Sequence, residues 1–268
     1  STMRHLRTSR VADRDKAAAD LLRADAGLEG EPVPGTPDHG FPLRPLAASL
    51  PGEDVVTADP LGERSEVDQL LARAREQLAR GRGTEAALTF RQVLEVEPGH
   101  REARVASARL LEAAGDLEAA TEHLTTLLRA EPEAVDLLVH RGELLGTQKL
   151  FPDAESDLRR ALKREPQHAG ALHALGVVQL RKGLPTEAAP TLERALAADP
   201  SQTATAYALG EAYLALRDLR AAEQALRRTL ELEPGHARAC HLLGRVLDRQ
   251  GRTEEAAQMY QRAREGGR

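Results

Sequence analysis

Glu97-Pro98-Gly99-His100 is the first of five similar stretches in this sequence of 268 residues. The other four are Glu131-Pro132-Glu133-Ala134, Glu165-Pro166-Gln167-His168, Asp199-Pro200-Ser201-Gln202 and Glu233-Pro234-Gly235-His236. An acidic residue precedes the proline in each stretch, and the prolines recur every 34 residues. A fixed period of this size is typical of proteins built from stacked structural repeats.

Counting back from Pro98 defines six repeats, namely 67–100, 101–134, 135–168, 169–202, 203–236 and a shorter 237–268. Small residues occupy the eighth place, which holds Ala74, Ala108, Gly142, Gly176, Gly210 and Gly244. Alanine fills the twentieth place at positions 86, 120, 154, 188, 222 and 256, and a large apolar residue fills the twenty-fourth, Phe90, Leu124, Leu158, Leu192, Leu226 and Tyr260. Small residues at two fixed places let two antiparallel helices approach closely, and the proline ends the second helix.

This pattern resembles the tetratricopeptide repeat family over residues 67–268. The fifth repeat carries the pattern most fully, with Gly-Glu-Ala-Tyr at 210–213 followed by Ala222, Leu226 and Pro234. The resemblance implies an all-α fold, a right-handed superhelical solenoid of six helix-turn-helix units. Polar residues mark the two ends, as terminal repeats require: Arg73 stands where the fourth to sixth repeats have leucine, and Arg264 stands where the other five repeats have leucine.

The sequence before Val67 does not follow the repeat. Residues 1–27 are predicted to form an N-terminal helical arm, with Gly27 as its end. Residues 28–66 form an acidic linker that contains seven of the 15 prolines, a composition that favours extended chain. Within it lies an apolar segment, 41–50, which we interpret as a candidate docking segment through Phe41, Leu43, Leu46 and Leu50.

Composition excludes several classes of protein. Aromatic residues make up only 2 %, which favours closely packed helices over a sheet sandwich, and the net charge of −5 argues against nucleic-acid binding. No apolar stretch approaches the length of a membrane span, and no apolar region follows the basic residues near Met3. The single cysteine, Cys240, forms no internal disulfide. We therefore expect a cytoplasmic protein; the oligomeric state is not predicted.

In the family, the first helix of each repeat lines a concave groove, chiefly through its second, fifth, sixth, ninth, twelfth and thirteenth places. Transferred by register, the predicted protein-binding residues are Leu71, Arg75, Val105, Arg109, Val139, His140, Glu143, His173, Val177, Tyr207, Glu211, His241, Arg245 and Arg249. This set combines apolar residues with arginines at both ends. It predicts a groove that binds an extended or helical segment with apolar anchors and some acidic residues.

The sequence contains no nucleophile elbow, phosphate loop, zinc-hydrolase helix or dinucleotide fingerprint, so we predict neither an enzyme nor a cofactor. His100, His168 and His236 recur in the turns between repeats, which indicates a repeat feature rather than a metal site. The lysine and asparagine that clamp a C-terminal carboxylate in some family members are absent. His140 and His173 are candidates for pH-dependent binding.

The leading functional hypothesis is a non-catalytic adaptor or scaffold that binds another protein, a peptide segment or the chain's own linker. Two alternatives remain at this stage: a structural subunit anchored by its N-terminal arm, and the regulatory chain of a two-chain enzyme. Two residues depart from the repeat pattern. Arg141 takes a place expected to be apolar, so it needs a partner, and Pro190 falls inside a predicted helix, where it removes one hydrogen bond.

Overall fold

The computed structural model of this protein describes residues 60–266, with side chains from Glu66 onward. The predicted arm 1–27 and the docking segment 41–50 lie outside the described residues. Every described element is a helix, which confirms the all-α repeat fold predicted from the sequence. The chain divides into two compact units, the first ending at His123 and the second starting at Leu124.

The first repeat pairs α1 with α2, and the second pairs α3 with α4; their bounds are Pro60–Ala79, Gly83–Val96, Arg101–Ala114 and Leu117–Ala130. Helix α1 begins seven residues before Val67, so its first turns fall within the range assigned to the linker. The third and fourth repeats contain α5 to α8, Val135–Thr147, Phe151–Arg164, Ala169–Arg181 and Pro185–Ala198. The last two contain α9 to α12, Thr203–Ala215, Leu219–Leu232, Ala237–Arg249 and Thr253–Gly266.

Each acid-proline stretch connects the second helix of one repeat with the first helix of the next. Glu97, Glu165, Asp199 and Glu233, each directly before a proline, have extended backbone, for example Glu97 with φ −124° and ψ 86°, because a following proline disfavours the helical conformation. Three residues further on, the histidine caps the next helix. Nδ1 of His100, His168 and His236 accepts a hydrogen bond from a backbone N–H of the first turn at 3.3, 3.0 and 3.0 Å.

A periodic arginine on the second helix connects neighbouring repeats within the second unit. Arg194 and Arg228 donate to the backbone carbonyls of Pro166 and Pro200 in the preceding repeat, at 2.9 and 3.2 Å. Arg160 and Arg262 make the same contact with Pro132 and Pro234. These guanidinium groups supply partners for carbonyls that a helix end leaves unpaired.

Each first helix ends with a residue in the left-handed conformation. Glycine takes this place in four repeats as Gly81, Gly115, Gly183 and Gly251, whereas Lys149 and Arg217 take it in the other two, with φ of 65° and 62°. A Cβ at any of the four glycines would meet no atom within 4 Å. Backbone preference, not crowding, is therefore what favours glycine at this place.

The core of the second unit depends on glycine at the eighth place. A Cβ on Gly142, Gly176 or Gly210 would lie 2.7, 2.5 or 2.7 Å from a leucine side-chain atom on the second helix of the same repeat. Those leucines, Leu158, Leu192 and Leu226, have no exposed surface. Glycine is thus required for the closeness of the two helices, as the sequence predicted.

The two departures from the repeat pattern have different outcomes. Arg141 has the partner it needs: Nε and one terminal nitrogen donate to the two carboxylate oxygens of Asp157 at 2.7 and 2.9 Å, and the other donates to Oγ1 of Thr125 at 3.1 Å. Pro190 lies within α8, which continues from Pro185 to Ala198 without a break. None of the described helices combines the length and apolar character needed to cross a membrane.

Candidate functional site

Two concave surfaces, one in each unit, contain residues of the predicted groove. The unit 1 cleft lies between α1 and α3, has a volume of about 710 Å³ and is lined by Arg75, Leu78, Phe90, His100, Arg101, Glu102, Val105, Ala106, Arg109 and Leu110. The unit 2 notch has a volume of about 390 Å³ and is lined by Glu211, Leu214, Ala215, Arg217, Leu242, Arg245 and Arg249.

The unit 1 cleft has an apolar floor. Phe90 from α2 is 1 % exposed and closes its base, while Leu78 at its edge is 40 % exposed. Val105 and Leu110 are half-buried on α3 because successive turns of an amphipathic helix put these positions between core and solvent. The floor therefore combines fixed packing with apolar surface that still faces water.

The arginines at the cleft differ in whether an acidic residue pairs with them. Arg75 and Glu102 form a bidentate ion pair, with Nε of Arg75 2.6 Å from Oε1 of Glu102. The hydrogen bonds from Arg75 hold the pKa of the Glu102 carboxyl below its usual value. Among the described residues, Arg109 has neither an ion pair nor a hydrogen bond through its guanidinium. Arg109 is consequently the cation in this cleft available to an acidic ligand.

The second unit contains an aromatic and charged cluster beside its notch. The Tyr207 ring stacks on the His236 ring with 5.1 Å between centroids, and the Arg238 guanidinium lies 5.1 Å from the centre of the Tyr207 ring. Burial raises the pKa of the Tyr207 hydroxyl, and the neighbouring Glu211 carboxylate adds to the effect. Tyr207, Glu211 and Arg238 thus form one interacting group, of which Glu211 lines the notch.

The predicted groove residues fall into three classes. Leu71 and Val139 are 5 % and 8 % exposed, so they pack inside the protein and offer little surface to a partner. Arg75, Val105 and Arg109 line the unit 1 cleft, and Glu211, Arg245 and Arg249 line the unit 2 notch. The rest lie outside both surfaces: His140, His173, Val177 and Tyr207 are half-buried, and Glu143 and His241 are exposed.

Two family models, both described as tetratricopeptide repeat, match this chain. One matches residues 141–203 and 207–268, and the other matches 77–140 and 180–233, so that together they cover residues 77–268. The chain belongs to the tetratricopeptide repeat (TPR) family. The resemblance inferred from the proline period is thereby confirmed.

Solved structures of other TPR proteins are similar to this one. PilF from Pseudomonas aeruginosa is 22 % identical, with a TM-score of 0.64 over 74 % of this chain and 90 % of its own. MamA from Desulfovibrio magneticus RS-1 is 24 % identical, with a TM-score of 0.56 over 62 % and 94 %. YrrB, described as a TPR protein with an unusual peptide-binding site, is 21 % identical, with a TM-score of 0.52 over 66 % and 91 %. These likenesses show the fold; no curated protein matches the sequence.

The TPR register accounts for some residues that the prediction omitted. Leu78 occupies the twelfth place of its repeat, which the family directs to the concave face, so the register already contained this signal. Arg217 lies in the turn between the two helices, beyond the groove places, and no groove rule would have selected it. In the sequence, Arg217 differs from the repeat pattern only in that four other repeats have glycine at the same place.

The cysteine of this TPR protein, Cys240, belongs to the core. Cys240 is 1 % exposed, and burial raises the pKa of its thiol, which suppresses the reactive thiolate. Within the part of the chain that the structure describes, no group of three or more histidine, cysteine, aspartate or glutamate side chains is placed to hold a metal ion.

His173 provides a test of pH dependence. Its Nδ1 lies 3.0 Å from Oγ1 of Thr205, and burial lowers its pKa from the ordinary value of 6.5. The unfolded chain therefore takes up a proton more readily than the folded protein, so stability is full above about pH 6.5 and decreases as the pH falls below it. We expect the melting temperature of His173→Gln to fall less than that of the wild type between about pH 7.5 and pH 5.5.

Thermal melts followed by circular dichroism at each pH would measure this difference. His241→Gln is the matched control, because it removes an exposed histidine from the same unit. Equal decreases for the wild type and His173→Gln would show that His173 does not couple stability to pH.

Proposed function

We propose that this TPR protein is a non-catalytic adaptor or scaffold that binds a segment of another protein in the unit 1 cleft and so organises a larger assembly. The observation that carries the proposal is the combination, in one cleft, of an apolar floor and the guanidinium of Arg109, which has no partner in the part of the chain that the structure describes. Peptide and ligand sites are typically concave and mostly apolar, with a few polar groups that orient the bound molecule.

The expected ligand follows from this combination. Leu78, Val105 and Leu110 suit one or two apolar side chains spaced along an extended or helical segment. Arg109 suits an acidic side chain next to them, because a guanidinium binds a carboxylate through two parallel hydrogen bonds. YrrB, described as having a peptide-binding site, supports this use of a TPR fold.

Charge reversal at Arg109 is the primary test. We expect Arg109→Glu to lower recovery of the partner from a lysate of the host at least about tenfold, because a charge-assisted hydrogen bond becomes a repulsion. Recovery on immobilised full-length protein would be measured by quantitative mass spectrometry. Circular dichroism should show unchanged helicity, since the Arg109 side chain is exposed.

Arg73→Glu is the matched control, because Arg73 is also an exposed arginine on a first helix but does not line the cleft. We expect Arg109→Glu to lose recovery of the partner from the lysate and Arg73→Glu to retain it. Equal recovery of the same proteins by Arg109→Glu and the wild type would count against the unit 1 cleft. Leu78→Ser tests the apolar contribution separately, since Leu78 is 40 % exposed and its replacement leaves the core intact.

A further inference from the structure

Three arginines meet in the unit 2 notch without a matching set of acids. Arg217 comes from the turn between α9 and α10, and Arg245 and Arg249 come from successive turns of α11. Among the described residues that line the notch, Glu211 is the one acid, and its carboxylate lies close enough to the Tyr207 hydroxyl to raise the pKa of that group. The notch is therefore a local excess of positive charge in a chain with a net charge of −5.

The other arginines of the same unit are mostly engaged. Arg141 binds Asp157, Arg252 binds Glu223 and Glu255, and Arg227 binds Glu223, all within 2.9 Å. Among the residues that the structure describes, Arg217 and Arg249 have neither an ion pair nor a hydrogen bond through their guanidinium groups. These unpaired cations line the same concave surface.

Arg217 also occupies a place that its backbone conformation disfavours. Its φ is 62°, and Gly183 and Gly251 take the same place in the adjacent repeats. The nearest comparison is Lys149, which has a φ of 65° in the third repeat but does not line the notch. Because Gly183 and Gly251 adopt this conformation in the adjacent repeats, Arg217→Gly should remove the arginine side chain without disturbing the turn.

We propose that the unit 2 notch binds a carboxylate-rich segment of a partner protein through Arg217, Arg245 and Arg249. Guanidinium groups bind carboxylates bidentately, and a bound acidic segment would also relieve the mutual repulsion of the three cations. Leu214 and Leu242 provide a small apolar floor for the aliphatic part of a glutamate side chain. Glu211 disfavours a doubly charged phosphate at the same position more than it disfavours a carboxylate. The notch adds a second site to the proposed adaptor and does not depend on the unit 1 cleft.

The test uses the full chain and a fluorescein-labelled hexapeptide of six glutamates. We expect fluorescence anisotropy at low ionic strength to show saturable binding that weakens as salt is added. Arg217→Gly and Arg249→Gln should each reduce the affinity about tenfold, the effect of losing one charge-assisted contact. The same hexapeptide with glutamine in place of glutamate should bind at least tenfold more weakly than the acidic form.

Lys149→Gly is the matched control for Arg217→Gly, since both changes put glycine in the same left-handed turn and remove one positive charge. Both variants should keep or raise the melting temperature of the wild type, and only Arg217→Gly should lose peptide affinity. Equal affinities of Arg217→Gly and the wild type would overturn the proposal, as would equal losses in both glycine variants.

Inorganic phosphate is the competing probe: displacement of the peptide at a phosphate concentration below the peptide's own Kd would show a phosphate site instead. The peptide carries no apolar side chain for the unit 1 cleft, so its failure to bind would overturn the notch alone and would leave the lysate test of the proposed function unaffected.

Discussion

Gly176→Val should lower the free energy of unfolding by about 3 kcal/mol, the upper part of the range for an overpacked core. A Cβ at Gly176 would lie 2.5 Å from Cγ and 2.6 Å from Cδ2 of Leu192, and Leu192 is completely buried. Valine adds two methyl groups to this crowding, so α7 and α8 must separate. Urea unfolding followed by circular dichroism would measure the loss as a lower midpoint.

Gly235→Val is the matched control. A Cβ at Gly235 would meet no atom within 4 Å, and the same place in other repeats holds Glu133, Gln167 and Ser201. We expect this variant to unfold within about 0.5 kcal/mol of the wild type. Similar losses for the two valine variants would mean that general strain, rather than the close approach of the two helices, explains the effect of Gly176→Val.

Asp157→Ala should cost about 3 kcal/mol because it leaves a largely buried cation without its counter-ion. The side chain of Asp157 is 4 % exposed and that of Arg141 is 18 % exposed, so water can replace the carboxylate only in part. Thr125 would remain as a neutral acceptor for one guanidinium nitrogen. The shift of the urea midpoint would report this cost.

The double variant Arg141→Met/Asp157→Leu provides the decisive comparison. Replacing a buried ion pair by apolar residues of similar volume is often neutral or stabilising, whereas removing one partner is not. We therefore expect the double variant to recover most of the stability that Asp157→Ala loses. A double variant as unstable as Asp157→Ala would show that the site depends on packing around Asp157 and not on charge compensation.

Local chemistry explains why the helix pairs were predictable. A residue before proline avoids the helical conformation and glycine adopts a left-handed one, whatever the rest of the chain does. The sequence thus located the ends of the second helices near Glu97 and Glu233. Recurrence in six repeats made the signal much stronger than any single motif.

The candidate site was less predictable, because exposure depends on the neighbouring repeat. Leu71 and Val105 share the fifth place, yet Leu71 is 5 % exposed in the core and Val105 lines the unit 1 cleft. Likewise, Arg75 and Arg109 share the ninth place, but Glu102 pairs with Arg75 only. Register assigns a side chain to a face of its helix; the residues packed against that face decide whether it is available for binding.

The sequence by itself determined the fold class, the family and the helix pairs, because turns, caps and the proline period are short-range properties of the chain. It also determined that Arg141 needed a partner, since a cation at an apolar place is costly without one. Only the tertiary structure decided that Asp157 is this partner, that the guanidinium of Arg109 has no partner among the described residues and that Arg217 joins Arg245 and Arg249 in one notch. Arg141 and Asp157 are 16 positions apart and Arg217 and Arg249 are 32 apart, so packing of helices, not local conformation, brings them together.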